Sequence, residues 1–95
     1  MLEVVRPLIK LLHPEKTPLE NYEALMALTN LASVNQSVKK RIVKEQGISN
    51  IENYMFEQDH DLRVAGTECI CNLAQDEDVN KIHNSKIISN FKIFI

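Results

Sequence analysis

Asn30 and Asn72 hold the same place in two similar nine-residue segments, 42 positions apart. A carboxamide offers both a donor and an acceptor, so it can pair with a peptide bond without reading the side chain beside it. Lys39, Lys40, Arg41 and Lys44 form a basic cluster that ends at Glu45. Contact with an acidic surface is one use for Lys39, Lys40 and Arg41. The simpler one is a solvated helix face whose cations suit the carboxy-terminal end. In the run Tyr54-Met55-Phe56 the first two residues are expected to pack inward, which leaves Phe56 as a weaker candidate for an exposed apolar contact.

None of this chemistry is catalytic. The sequence holds no glycine-rich phosphate loop, no nucleophile motif and no cluster of metal ligands. Cys69 and Cys71 lie two apart on an expected helix, about 200° apart around its axis, so they cannot bond to each other. His13, His60 and His83 are scattered, and zinc would need two further ligands at suitable spacing. The chain is therefore expected not to be an enzyme and to need no cofactor. Its 11 basic and 13 acidic residues leave a net charge of −2, without the basic surplus that nucleic-acid binding requires. No apolar run is long enough to cross a membrane, and Glu3 and Arg6 interrupt any signal-peptide core. A cytoplasmic protein is expected, with neither nucleic acid nor membrane as partner.

The elements that carry these residues read as helices throughout. Val4, Val5, Leu8, Leu11 and Leu12 form a short first stripe that Pro14 ends, with Pro7 tolerated in the first turn. Thr17, Pro18 and Glu20 make a capping box ahead of a helix over 19–32, whose face is Tyr22, Leu25, Leu28 and Ala32. A polar loop over 33–36 follows, with Ser37 as cap of a short helix through Val38, Ile42 and Val43. Gly47 is expected to end that helix in the left-handed conformation. Ile48, Ile51, Tyr54 and Met55 make a fourth stripe. Leu62, Ala65, Cys69, Ile70, Leu73 and Ala74 line a fifth helix, and Asp76 or Asp78 can cap a sixth with Val79 and Ile82.

Repetition decides the architecture. Residues 24–32 and 66–74 read alike at a separation of 42, and the stripes before them, Val5–Leu12 and Ile48–Met55, match at 43. A period of about 42 with three helices per unit marks an armadillo-type α-solenoid, where the related HEAT unit has two helices. The expectation is an all-α fold of about two repeats, with units near 1–32 and 37–74 and the start of a third at 76–82. Such units bury their apolar faces only against neighbours, so a chain this short is expected to be marginally stable alone. Residues 83–95 collapse to Ile, Lys, Asn, Phe and Ser, and are expected to be read-through from a truncated coding segment rather than solenoid. In armadillo adaptors, an asparagine late in the third helix grips the backbone of an extended client. Asn30 and Asn72 hold that slot; the structural alternative is that each amide bonds a neighbouring loop.

Four blocks carry a more specific resemblance: Glu23–Ala32, Lys40–Glu45, Ile51–Glu57 and Cys69–Ala74. In that order they resemble the UCS domain of the Unc-type myosin co-chaperones, over residues 2 to about 82. The resemblance implies a partial UCS array that engages the myosin motor domain and assists its folding and assembly. In that family a separate TPR domain binds the ninety-kilodalton heat-shock chaperone, and nothing in this sequence resembles it. The alternatives are a general armadillo adaptor for an extended peptide, or a truncated product without activity of its own.

Overall fold

Pro18 and its neighbours set the longest helix. In the computed structural model, which describes residues 2–75, Thr17 accepts a hydrogen bond from the Glu20 backbone N–H at 3.1 Å, and the Glu20 carboxylate accepts one from the Thr17 N–H at 3.0 Å. This is the expected capping box, with Pro18 in the first turn where its missing N–H costs nothing. The Thr17 backbone N–H, and then its hydroxyl, hold the Glu20 carboxyl below the usual glutamate value. The helix, α2, runs Pro18–Val34. Ahead of it, a 3-10 turn at Leu2–Val4 leads into α1, Val5–Lys10, which places Pro7 in its first turn.

Two boundaries differ from expectation. No four-residue loop follows α2: only Asn35 separates it from α3, Gln36–Lys44. Asn35 is extended, and its side chain accepts from the Ser37 N–H at 2.8 Å, so the cap is Asn35 and Ser37 lies inside the helix. The left-handed residue after α3 is Gln46, at φ 60°, and not Gly47. Gly47 opens α4, Gly47–Asn53, and is buried there. A β-carbon at Gly47 would come within 2.6 Å of Ile9 Cδ1, so this glycine serves the close approach of α4 to α1.

Helix α4 continues into a 3-10 turn, Tyr54–Phe56, and α5 spans His60–Ala74. Ile48, Ile51, Tyr54 and Met55 are all buried, as their stripe required. Glu52 is buried among them, which the apolar pattern gave no reason to expect. Asp59 caps α5 by accepting from the Leu62 N–H at 3.1 Å. This cap lies 42 residues after Thr17, the cap of α2.

Helices α2 and α5 share the largest interface among the described residues. They run in the same direction. Pro18 and Leu19 line one depression with Asp61 and Leu62, Tyr22 and Met26 line the next with Val64 and Glu68, and Thr29 bonds to Cys69. Beneath them α1, α3, α4 and the second 3-10 turn complete one continuous core from Val5 to Leu73. All regular elements among the described residues are helical, and the arrangement is the armadillo-type stack of about two repeats. The expected sixth helix and third-repeat start, from 76 onward, and the tail at 83–95 lie outside the described residues.

Candidate functional site: the furrow between two equivalent helices

A helix places residues four apart on one face. On α2 that relation joins Tyr22, Met26 and Asn30; on α5 it joins Val64, Glu68 and Asn72. Each member of the second row lies 42 residues after its counterpart, so the two rows are equivalent. Between them lies an open furrow. Its amino-terminal end, about 380 Å³, is lined by Pro18, Leu19, Tyr22, Asp59, Asp61 and Leu62. It continues as a smaller depression of about 140 Å³ among Tyr22, Met26, His60, Val64 and Glu68.

Asn30 and Asn72 close the two rows at their carboxy-terminal ends. Asn30 is exposed and Asn72 half-buried. Beyond the regular helix ladder their backbone carbonyls are engaged, Asn30 accepting from the Ser33 hydroxyl at 2.7 Å and Asn72 from the Gln75 N–H at 3.3 Å. Among the described residues neither amide makes a hydrogen bond. The loop-holding work falls to two residues that pattern reading passed over. The buried Asn21 amide donates to the Leu11 carbonyl at 2.7 Å and reaches the His13 carbonyl at 3.4 Å, tying the α1–α2 connection to α2. Arg63, 42 residues later, donates to the Glu57 carbonyl at 3.1 Å and ties the second connection to α5. The only sequence signal for Asn21 was a polar residue three positions before Ala24, on the inward face.

The weaker candidates are dispersed. Lys39 is buried at 8% exposure, so it leaves the solvated face on which the basic cluster was placed. It is buried on α3 together with Val38 and Ile42, as the stem of a long cationic side chain can be on apolar surface. Lys40 is exposed, while Arg41 is half-buried and bridges Glu45 at 3.2 Å. Glu45 also meets Arg6 of α1 at 3.4 Å, so part of the cluster is spent joining two helices. Phe56, at the end of the second 3-10 turn, is 47% exposed and does not line the furrow. Tyr22, assigned to the inward face of α2, instead stands 37% exposed in the furrow wall.

Both cysteines are free. Burial pushes the Cys69 thiol up to about 11, and a hydrogen bond with Thr29 offsets this only in part. Cys71 is exposed on the other side of the helix; partial desolvation and then the Glu68 carboxylate raise its thiol above the ordinary value. Among the described residues no group of His, Cys, Asp or Glu is arranged to hold a metal ion, and no helix is long and apolar enough to cross a membrane.

Protein unc-45 homolog B of Xenopus tropicalis is 49% identical to this chain over 79 residues, which cover 83% of the chain and 8% of that protein. The human protein of the same name is 47% identical over 79 residues, again 83% of the chain and 8% of the relative. The solved structure of UNC-45 from Drosophila melanogaster superposes with a TM-score of 0.82 at 56% identity, over 85% of this chain and 10% of that one. The chain belongs to the UNC-45 family. It spans about a tenth or less of the length of the UNC-45 relatives it matches. No family model matches the chain. The UNC-45 likeness bears out the resemblance read from the four sequence blocks and, with it, the helical-repeat architecture.

Proposed function

We propose that this chain contributes a client-binding surface to a myosin-directed chaperone, and that the α2–α5 furrow receives an extended segment of an immature myosin motor domain. Kinship with UNC-45 proteins supports the client. The observation that carries the mechanism is the pair of equivalent rows, each ending in an asparagine whose amide has no hydrogen bond among the described residues. An amide in that state can pair with a passing peptide group, and two amides one repeat apart can hold an extended backbone at two points. The furrow holds its client by contact alone, in the cytoplasm. Any link to the ninety-kilodalton heat-shock chaperone runs through a TPR domain elsewhere in the assembly.

Binding of the purified chain to a myosin motor domain, with a urea melt of each variant, tests this reading. Two neutral hydrogen bonds contribute about 1–3 kcal/mol together, so Asn30→Ala with Asn72→Ala should weaken binding about 5- to 150-fold at an unchanged melt. Equal binding by the double variant removes the asparagines from the mechanism, and loss of stability alone returns them to a structural role. A wild-type chain that ignores the motor domain but captures short linear peptides is a general armadillo adaptor.

A further inference from the structure

The furrow is apolar in its floor and acidic at its edge. Leu19, Tyr22 and Val64 stand 65%, 37% and 39% exposed along it, with Met26 half-buried between them. Three carboxylates, Asp59, Asp61 and Glu68, line the same two depressions, and neither is lined by a lysine or arginine. His60 is the one basic side chain among the lining residues, and its ring meets the Arg63 guanidinium at 3.3 Å. Arg63 itself is turned to the Glu57 carbonyl.

The carboxylates are not equivalent. Asp59 caps α5 and Asp61 lies in its first turn, so both are partly answered by the positive end of the helix. Glu68, at the middle of α5, is exposed and beyond that compensation. Apart from His60, no cationic side chain lines the depression that Glu68 borders. Its counterpart on α2 is Met26, so the two equivalent rows present an apolar site and a charged site side by side.

We infer that the furrow selects an extended peptide segment in which a large apolar side chain and a lysine or arginine lie two to four residues apart. Packed helices lie about 8–10 Å apart, and an extended chain advances about 3.3 Å per residue. A segment crossing from α2 to α5 therefore covers about three residues. Its apolar side chain settles on Tyr22 and Met26 while its cation reaches Glu68 and Asp61. Of this protein's own basic side chains, Lys10, Lys40 and Lys44 belong to α1 and α3, while Lys16 of the α1–α2 connection and Arg63 of α5 line neither depression. This inference rests on the proposal that the furrow receives a client, and adds the chemistry by which the client is chosen.

Fluorescence anisotropy with three labelled decapeptides tests it: one carries Phe with Lys two and four positions later, one has Glu in place of both lysines, and one has Ala in place of Phe. The wild-type chain should bind the Phe/Lys peptide about tenfold more tightly than either other, with the preference for lysine shrinking as salt rises. Glu68→Lys should abolish or reverse the lysine preference and leave the dependence on Phe. Glu68→Gln, milder at an exposed position, should reduce the lysine preference. Equal binding of the lysine and glutamate peptides by the wild type, or a preference untouched by both variants, overturns the inference. Motor-domain binding measured on the same three proteins separates the two proposals. If the motor domain binds wild type and Glu68→Lys alike, the client reading stands and the selection rule fails. If the motor domain never binds while the peptide preference holds, the client reading fails and the furrow chemistry stands.

Discussion

Helices α2 and α5 occupy equivalent places, yet they are buried on different sides. Cys69 and Leu73 on α5 are inaccessible, whereas their counterparts on α2, Ala27 and Leu31, are only half-buried. The reverse holds for Leu25, which is inaccessible on α2, against half-buried Thr67 on α5. Contact explains both. Thr29 of α2 lies against Cys69, so the side of α5 that faces the earlier repeat is covered by α2, and that same packing covers Leu25. A position is buried in a solenoid when the neighbouring repeat is there to cover it, whatever its own apolarity.

The comparison breaks first at the positions where both helices are alike. Leu28 and Ile70 are counterparts and both fully buried, so Leu28→Ala and Ile70→Ala should each cost about 2–5 kcal/mol. That approaches the whole stability of a small domain, and far-ultraviolet circular dichroism should show helix loss in both. A full loss from one and none from the other would mean that the repeats do not share a core. Next come Ala24 and Gly66, counterparts that should not be interchangeable. A β-carbon at Gly66 would meet Tyr54 Cβ at 2.7 Å and the Tyr54 backbone carbon at 3.0 Å. Gly66→Ala should therefore destabilise by roughly 1–3 kcal/mol in a urea melt, despite a gain of about 1 kcal/mol in helix propensity. Stabilisation instead would mean that α5 does not press on the Tyr54–Phe56 turn at Gly66. The smallest contrast is between Asn21 and Arg63. Asn21→Ala removes a buried donor and leaves the Leu11 carbonyl without it, at a cost of about 1–3 kcal/mol. Arg63→Ala, at a half-buried site, should cost about 0.5–1 kcal/mol by the same measurement. Equal losses would show that the two connections are held alike.

Much of this was legible in the chain. The capping box needed only Thr17, Pro18 and Glu20 in order, because its hydrogen bonds join residues three apart. The stripes of α4 and α5 were legible because nearly every apolar residue in them points inward. Tyr22 was misplaced because α2 is apolar on more sides than its neighbours can cover, and periodicity does not say which side they take. Ser37 and Asn35 are both able to cap, and the choice turned on the extended backbone at Asn35. Asn30 and Asn72 are candidates because of the repeat itself. Tyr22, Met26, Val64 and Glu68, which line the furrow, have no meaning until two helices are laid side by side.

Sequence by itself determined the helices, their period of 42 and the kinship, since these depend on residues close along the chain and on the copying of one unit. Tertiary structure alone decided that Gly47 and Gly66 are contact points, that Lys39 lies inward, and that Asn21 and Arg63 do the same work. Each of those outcomes depends on what stands across a helix from the residue in question, and that distance through space is not written in spacing along the chain.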